Sequence, residues 1–210
     1  MTATKKHIPA DVRREKLADA ALRVMKRDGI TAATTRAICT EAGMAQSTFH
    51  YCFRSKQELY KALLSTDINV TLDAGTWPTV DPSAGPAENV RLLLRAYWSA
   101  VESDPATHLV LSELVNLAQR DPELSDLPNW QHQAYLDRAT ALTERFAAEA
   151  GLQLTIGTRQ FAELVVAALS GIGSAWLSHR DDRTALESLD NFAVLFAGLT
   201  KPLPPGSAPL

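Results

Sequence analysis

The sequence predicts an all-α protein of about nine helices, with a three-helix helix-turn-helix head over residues 1–55 and a helical bundle over residues 56–210. Three observations predict it. Apolar residues recur at helical spacing along most of the chain, and no segment sustains strand-like alternation between turn signals. Gly, Pro and capping residues fall at intervals of one helix length. The charge is also divided: residues 1–61 hold 12 Lys+Arg against 6 Asp+Glu, a balance of +6, and residues 62–210 hold 9 against 18, a balance of −9. A basic head on an acidic body suits a chain that meets a polyanion at one end, although charge clustered on solvated helix faces would read the same way.

The first helix is expected over residues 12–28, where Leu17, Ala21 and Val24 share a face, Lys26 and Arg27 suit the negative end of the dipole and Gly29 ends the run. Thr34 is the expected N-cap of a second helix reaching Gly43, and a third covers residues 46–53. Gly43 in "EAGMAQS" can take the left-handed conformation that a tight helix–helix joint requires. Ser55 and Glu58 form a capping box for the fourth helix, whose apolar stripe is Tyr60, Leu64, Ile68 and Leu72. "DAGTWPTVDPSAGP" (73–86) breaks helicity, and Pro86 opens the fifth helix. Asp104-Pro105 starts the sixth, which stops at Asp121-Pro122. The seventh is expected over 129–150 with Gly151 behind it, the eighth over 159–179 and the ninth over 185–199. The tail "KPLPPGSAPL" is expected to fray.

Composition removes several function classes. No apolar run approaches the roughly 18 residues of a membrane span, and "MTATKKHIPADVRREK" lacks the apolar stretch of a secretory signal. Cys39 and Cys52 have no companions at metal-ligand spacing, so a reducing cytoplasm is expected and a metal site is not. There is no Glu-x-x-His pair, no His-rich ligand set and no phosphate-cradling Gly loop behind a strand, so no catalytic site or cofactor is expected.

From Arg14 to Leu64, "LADAALRVMKRDGITAATTRAICTEAG" followed by "MAQSTFHYCFRSKQELYKALL" resembles the DNA-binding head of the tetracycline-repressor (TetR) family of bacterial transcription regulators. The landmarks are Ala20, Ala21, Gly29, Thr34, Ile38, Ala42, Gly43, Thr48, Phe53, Lys56, Glu58 and Leu59. The resemblance implies a DNA-reading head on a helical body that binds a small ligand and dimerises. It departs from the family pattern at Ala37, where an acidic residue is frequent, at Ala45, where an N-cap Ser is frequent, and at His50 and Cys52, where Tyr and His are common.

On a helix from Gln46, Phe49 and Phe53 point into the head's core while Gln46, Ser47, His50 and Tyr51 lie towards the other side. In a major groove Gln46 can pair with adenine, Ser47 permits close approach and the Tyr51 hydroxyl can reach a phosphate. Thr34, Thr35 and Lys56 sit at helix starts, where phosphate oxygens are favoured. The family pattern places Tyr51 and Lys56 at the DNA backbone. Gln46, Ser47 and His50 read also as solvated residues, Arg36 equally as a phosphate contact or a surface cation, and Thr48 as a DNA contact or a structural residue.

In the body, Ala167, Gly171, Ser174 and Ser178 form a stripe of small residues. With Phe192 and Phe196 on the ninth helix, the stripe could meet a second copy in a four-helix interface, or pack within one subunit. Glu113, between Leu109 and Leu117 at i+4 spacing, is expected to be part-buried. With His108, Asn116, Trp98, Trp130, Tyr135, Phe146 and Trp176 it could line an aromatic cavity for a cationic or amphipathic ligand, the alternative being that the rings are core and Glu113 makes a salt bridge. The function expected is a homodimeric, ligand-responsive repressor released from a palindromic double-stranded operator by a small-molecule effector. The alternatives are an activator and a regulator of this fold without ligand response.

Overall fold

The structure, a computed structural model, describes residues 9–72, 78–81 and 83–203, with no account of the Val70 and Thr71 side chains. Among the described residues there are nine α-helices: α1 Ala10–Asp28, α2 Thr35–Ala42, α3 Gln46–Cys52, α4 Lys56–Thr71, α5 Pro86–Ser103, α6 Pro105–Ala118, α7 Leu127–Glu149, α8 Thr158–His179 and α9 Asp182–Ala197. The fold is the all-α one expected. Short 3-10 turns occupy Ile30–Ala32 and Pro122–Leu124, so the sixth helix stops earlier than Asp121. Residues 73–77 and 82 of the expected linker, and 204–210 of the tail, lie outside the described residues.

The tail departs from the expectation of fraying at its start. Residues Thr200–Pro202 form strand β2, antiparallel to β1, Leu152–Leu154, with Leu152 opposite Pro202 and Leu154 opposite Thr200. A strand of three residues is too short to show the period-2 alternation that would announce it.

The chain divides into two compact units. The first holds residues up to Thr66 together with Ala106–Gln131, so it contains the expected head with the first part of α4, α6 and the start of α7. Its core is built from Leu17, Ala21 and Met25 of α1, Ile38 and Cys39 of α2, Phe49 and Cys52 of α3, then Phe53, and Leu59, Tyr60, Leu63 and Leu64 of α4. Leu111, Leu114 and Ala118 of α6 join the same cluster. Gly43 takes the left-handed conformation, φ 65° and ψ 33°, and lets the chain reverse from α2 towards α3.

The second unit holds Asp67–Pro105 and His132–Leu210. Here α9 lies against α5, with Leu189, Ala193 and Phe196 joining Leu94, Trp98 and Val101 in one core. On the rim of that contact, Arg91 and Arg95 share Asp190 at 3.2 and 2.8 Å, a surface arrangement of small net value. The entry to α5 is fixed by Asn89, whose buried carboxamide accepts from the Asp81 N–H at 3.1 Å and donates to the carbonyls of Asp81 and Ala84 at 2.8 and 3.2 Å. Asn89→Ala leaves these backbone groups without partners and is expected to destabilise this unit by about 2 kcal/mol. A urea midpoint equal to the parent's would contradict that role for Asn89.

Candidate nucleic-acid interface

The head presents two faces on α3. Phe49, Cys52 and, just beyond the helix, Phe53 are buried, with the Phe49 and Phe53 ring centroids 5.5 Å apart. Gln46, Ser47, His50 and Tyr51 are exposed, Tyr51 at 72%, and Thr48 is half-buried. One helix of seven residues therefore carries a hydrophobic anchor and a polar face, as its spacing predicts.

Thr34 caps α2, its Oγ1 accepting from the Ala37 N–H at 3.2 Å. Thr34 and Arg36 are exposed and Thr35 is half-buried, so all three gather at the start of α2. Ala45 gives α3 no side-chain cap. Lys56 is exposed at the first position of α4, directly after Ser55, whose Oγ accepts from the Glu58 N–H at 3.2 Å.

Residues that sequence reasoning did not single out hold these helices together. Arg14 of α1 donates through Nη1 to the Cys52 carbonyl at the end of α3 and to Glu58 at 2.9 Å, and its guanidinium lies 4.4 Å from the Phe53 ring centroid. Glu58 in turn accepts from the Arg54 N–H at 2.8 Å. Between α1 and α2, Glu41 pairs with Arg23 at 2.9 Å and Arg27 at 3.0 Å. The signal for Arg14 was its register, three and four positions before Leu17 and Ala18 on the buried face.

The Arg54 N–H first, and Arg14 second, hold the Glu58 carboxyl below the usual carboxylate range. A folded-state value below the unfolded one, about 4.3 for Glu, gives stabilisation that is complete above that pH and is lost as pH falls through the folded value. Glu58→Gln should therefore lose stability less steeply than the parent between about pH 5 and pH 3, by well under 1 kcal/mol because the pair is on the surface. Superimposable acid-unfolding curves would show that the Arg14–Glu58 pair does not contribute.

In the body, the expected ligand residues separate. His108, Glu113, Asn116 and Trp130 belong to the first unit, and Trp98, Tyr135, Phe146 and Trp176 to the second. Glu113 is exposed, not part-buried: α6 buries Val110, Leu111, Leu114 and Ala118, while Leu109 and Leu117 are 42% and 36% exposed. The i+4 stripe through Glu113 is thus the outward one, and apolar ends at that spacing were not enough to identify the buried side. His108 is half-buried, Asn116 is exposed, and Lys61 Nζ lies 5.3 Å from the Trp130 ring centroid.

Trp98, Phe146 and Trp176 are core residues, 1%, 2% and 5% exposed. The Trp98 and Trp176 rings meet edge to face at 5.3 Å, and their indole N–H groups donate to Glu102 and Asp182 at 2.6 and 2.7 Å. Tyr135 is half-buried and donates its hydroxyl to Asp67 of α4 at 2.5 Å. Burial first, and the Asp67 charge second, push the Tyr97 hydroxyl well above its ordinary value. Asp67 was missed by sequence reasoning, since a lone Asp one position before Ile68 gives no pattern. Among the described residues no group of three or more His, Cys, Asp or Glu could hold a metal ion.

On α8, Ala167, Gly171, Ser174 and Ser178 are all exposed, and a Cβ built on Gly171 would meet nothing within 4 Å. Leu164, Val194 and Leu195 are 44%, 58% and 64% exposed. Phe192 is half-buried, and Phe196 is 4% exposed, packed on Phe161 at 5.5 Å between centroids. Against the expectation that no segment has membrane-span length, α8 is long and apolar enough by length and composition, with a mean hydropathy of 1.5, and only 22% of that window is buried within the chain.

Two short helices joined at a left-handed glycine, with a polar exposed face on the second, define a helix-turn-helix protein. Residues 17–63 match the bacterial regulatory proteins known as the tetR family, and the chain is a DNA-binding transcriptional regulator whose head is of that kind. It is 28% identical over 180 residues to the HTH-type nicotine-responsive transcriptional repressor HdnoR of Paenarthrobacter nicotinovorans, covering 85% of this chain and 91% of that protein. It is 32% identical over 116 residues to the HTH-type transcriptional regulator BetI of Rhizobium meliloti (strain 1021), covering 55% of this chain and 57% of that one. Among solved structures, Salmonella enterica GusR has a TM-score of 0.69 at 16% identity, over 93% of this chain and 100% of that chain. The multidrug binding protein EbrR, complexed with imidazole, has a TM-score of 0.63 at 22% identity, over 92% and 97%. These two likenesses concern the fold.

Proposed function

We propose that the chain is a homodimeric, ligand-responsive repressor that leaves a palindromic operator when a small molecule binds its body. The observation that carries the reading is the exposed Gln46–Ser47–His50–Tyr51 face of α3, backed by buried Phe49 and Phe53. With α3 in a major groove, Gln46 and Ser47 reach base edges, His50 and Thr48 flank them, and Tyr51, Lys56, Thr34, Thr35 and Arg36 contact the backbone. Residues 1–55 are then the reader and residues 56–210 the sensor and dimerisation part. The likeness to HdnoR, a nicotine-responsive repressor, supports this sign of control and a small-molecule effector.

The second copy covers α8 and α9 through Ala167, Gly171, Ser174 and Ser178, with Leu164, Val194 and Leu195 around them and Phe192 at the edge. The low burial of so apolar a helix supports that assignment. A two-fold dimer matches a palindrome with half-sites about 34–36 Å apart. Effector contacts centre on Asp67, Tyr97 and Tyr135, while Trp98, Phe146 and Trp176 serve as core behind them. Because α4 carries both Lys56 and Asp67, an effector at Asp67 can favour one setting of the helix and lower operator affinity by population shift.

Selection of bound fragments from genomic DNA by the full-length protein tests this reading. The expected product is one enriched palindrome, protected from nuclease and released by a small molecule that also raises the protein's melting temperature. An absence of enriched sequence would overturn the reader. An enriched site without two-fold symmetry would overturn the dimer, and a bound complex that no compound of a broad library dissociates would remove ligand response.

A further inference from the structure

Arg13 and Arg14 are adjacent on α1 but serve different surroundings. Arg14 is committed to Glu58, the Cys52 carbonyl and the Phe53 ring. Arg13 is half-buried, with its guanidinium carbon 5.4 Å from the centroid of the Tyr51 ring, the most exposed large hydrophobic side chain described. Its Nε is shielded from solvent and has no hydrogen-bond partner among the described residues. A shielded, unpaired donor on a cation is costly, of a size that native structures seldom leave unmet without a reason.

We infer that Arg13 and Tyr51 form one phosphate clamp, in which the Tyr51 ring orients the Arg13 guanidinium and both groups bind a backbone phosphate of the DNA that α3 reads. The inference rests on the reading of α3 as the recognition helix and extends the DNA-contacting surface onto α1, which the sequence pattern does not assign. Three physical points carry it. A guanidinium within about 6 Å of an aromatic centroid is held by the ring's quadrupole, so the fork reaches the phosphate pre-oriented. Tyr51 shares its exposed side of α3 with Ser47 and His50, so the fork lies beside the polar face and not behind the core. A phosphate oxygen, met through the Nη groups at the end of the fork, gives this cation a strong, charge-assisted acceptor.

The alternative is that Arg13 over Tyr51 only stabilises the head. Fluorescence anisotropy on the selected duplex and on a scrambled one, at stepped salt, separates the two for Arg13→Ala, Arg13→Lys and Tyr51→Phe in the full-length chain. For a clamp, Arg13→Ala binds both duplexes about tenfold more weakly, and the slope of log affinity against log salt falls by about one. Arg13→Lys keeps the slope and regains only part of the affinity, and Tyr51→Phe keeps the slope lost by Arg13→Ala. An Arg13→Ala protein with the parent's salt slope would overturn the clamp, whatever its melting temperature, while leaving α3 as the reader if Tyr51→Ala or Gln46→Ala still weakens binding. A parent protein that binds both duplexes alike would instead overturn the reading of α3, and the clamp with it.

Discussion

Replacing Phe53 by alanine is expected to destabilise the head by about 3–5 kcal/mol and to abolish DNA binding. The side chain is 1% exposed, packs on Phe49 and lies under the Arg14 guanidinium. Its removal leaves a cavity at the point where α3 ends and α4 begins, and Arg14 loses the surface that orients it towards Glu58 and the Cys52 carbonyl. Domains of this size are stable by only about 5–15 kcal/mol, so a loss of that size removes much of the margin. Chemical denaturation followed by circular dichroism measures it. Tyr51→Ala is the counterpart: the ring is 72% exposed, so its stability should change by no more than about 1 kcal/mol while DNA affinity falls. A Phe53→Ala protein within 1 kcal/mol of the parent would mean that the aromatic half of α3 is not its anchor.

Trp98→Ala is the second large effect, again about 3–5 kcal/mol, in the second unit. Trp98 is 1% exposed, meets Trp176 edge to face and donates its indole N–H to Glu102. The substitution empties the centre of the α5–α9 core and takes from Glu102 a charge-assisted hydrogen bond. Trp98→Phe should restore part of the loss, since it refills most of the volume without the N–H. If Trp98 instead lined an effector cavity, alanine would weaken effector binding with little change in the urea midpoint. The two outcomes therefore distinguish core from pocket at this residue.

The head was largely legible because each of its elements is announced by a local rule. Gly43 marks the joint, Thr34 and Ser55 mark caps, and the four-residue step from Phe49 to Phe53 defines the buried side of α3. The partners of Arg14 and Arg13 were not legible, because they lie 38 positions or more away in the chain. In the body, Leu109, Glu113 and Leu117 suggested a buried carboxylate, whereas the structure buries Val110, Leu111 and Leu114. Both stripes of α6 are apolar at helical spacing, so only the tertiary partner decides which one faces inward. The Asp67–Tyr135 pair joins residues 68 apart and leaves no trace in periodicity. The strand pair 152–154 and 200–202 is legible neither by length nor by composition.

The central claim is that the polar face of α3 reads base sequence. Fluorescence anisotropy of the selected duplex and a scrambled one, with the parent protein and with Gln46→Ala, tests it most directly at one fixed salt concentration near physiological strength. The account predicts that the parent binds its own duplex at least about a thousandfold more tightly than the scrambled one, and that Gln46→Ala loses about tenfold or more of that preference while binding the scrambled duplex as the parent does. Equal affinity of the parent for both duplexes, or a Gln46→Ala protein with undiminished preference, would contradict it.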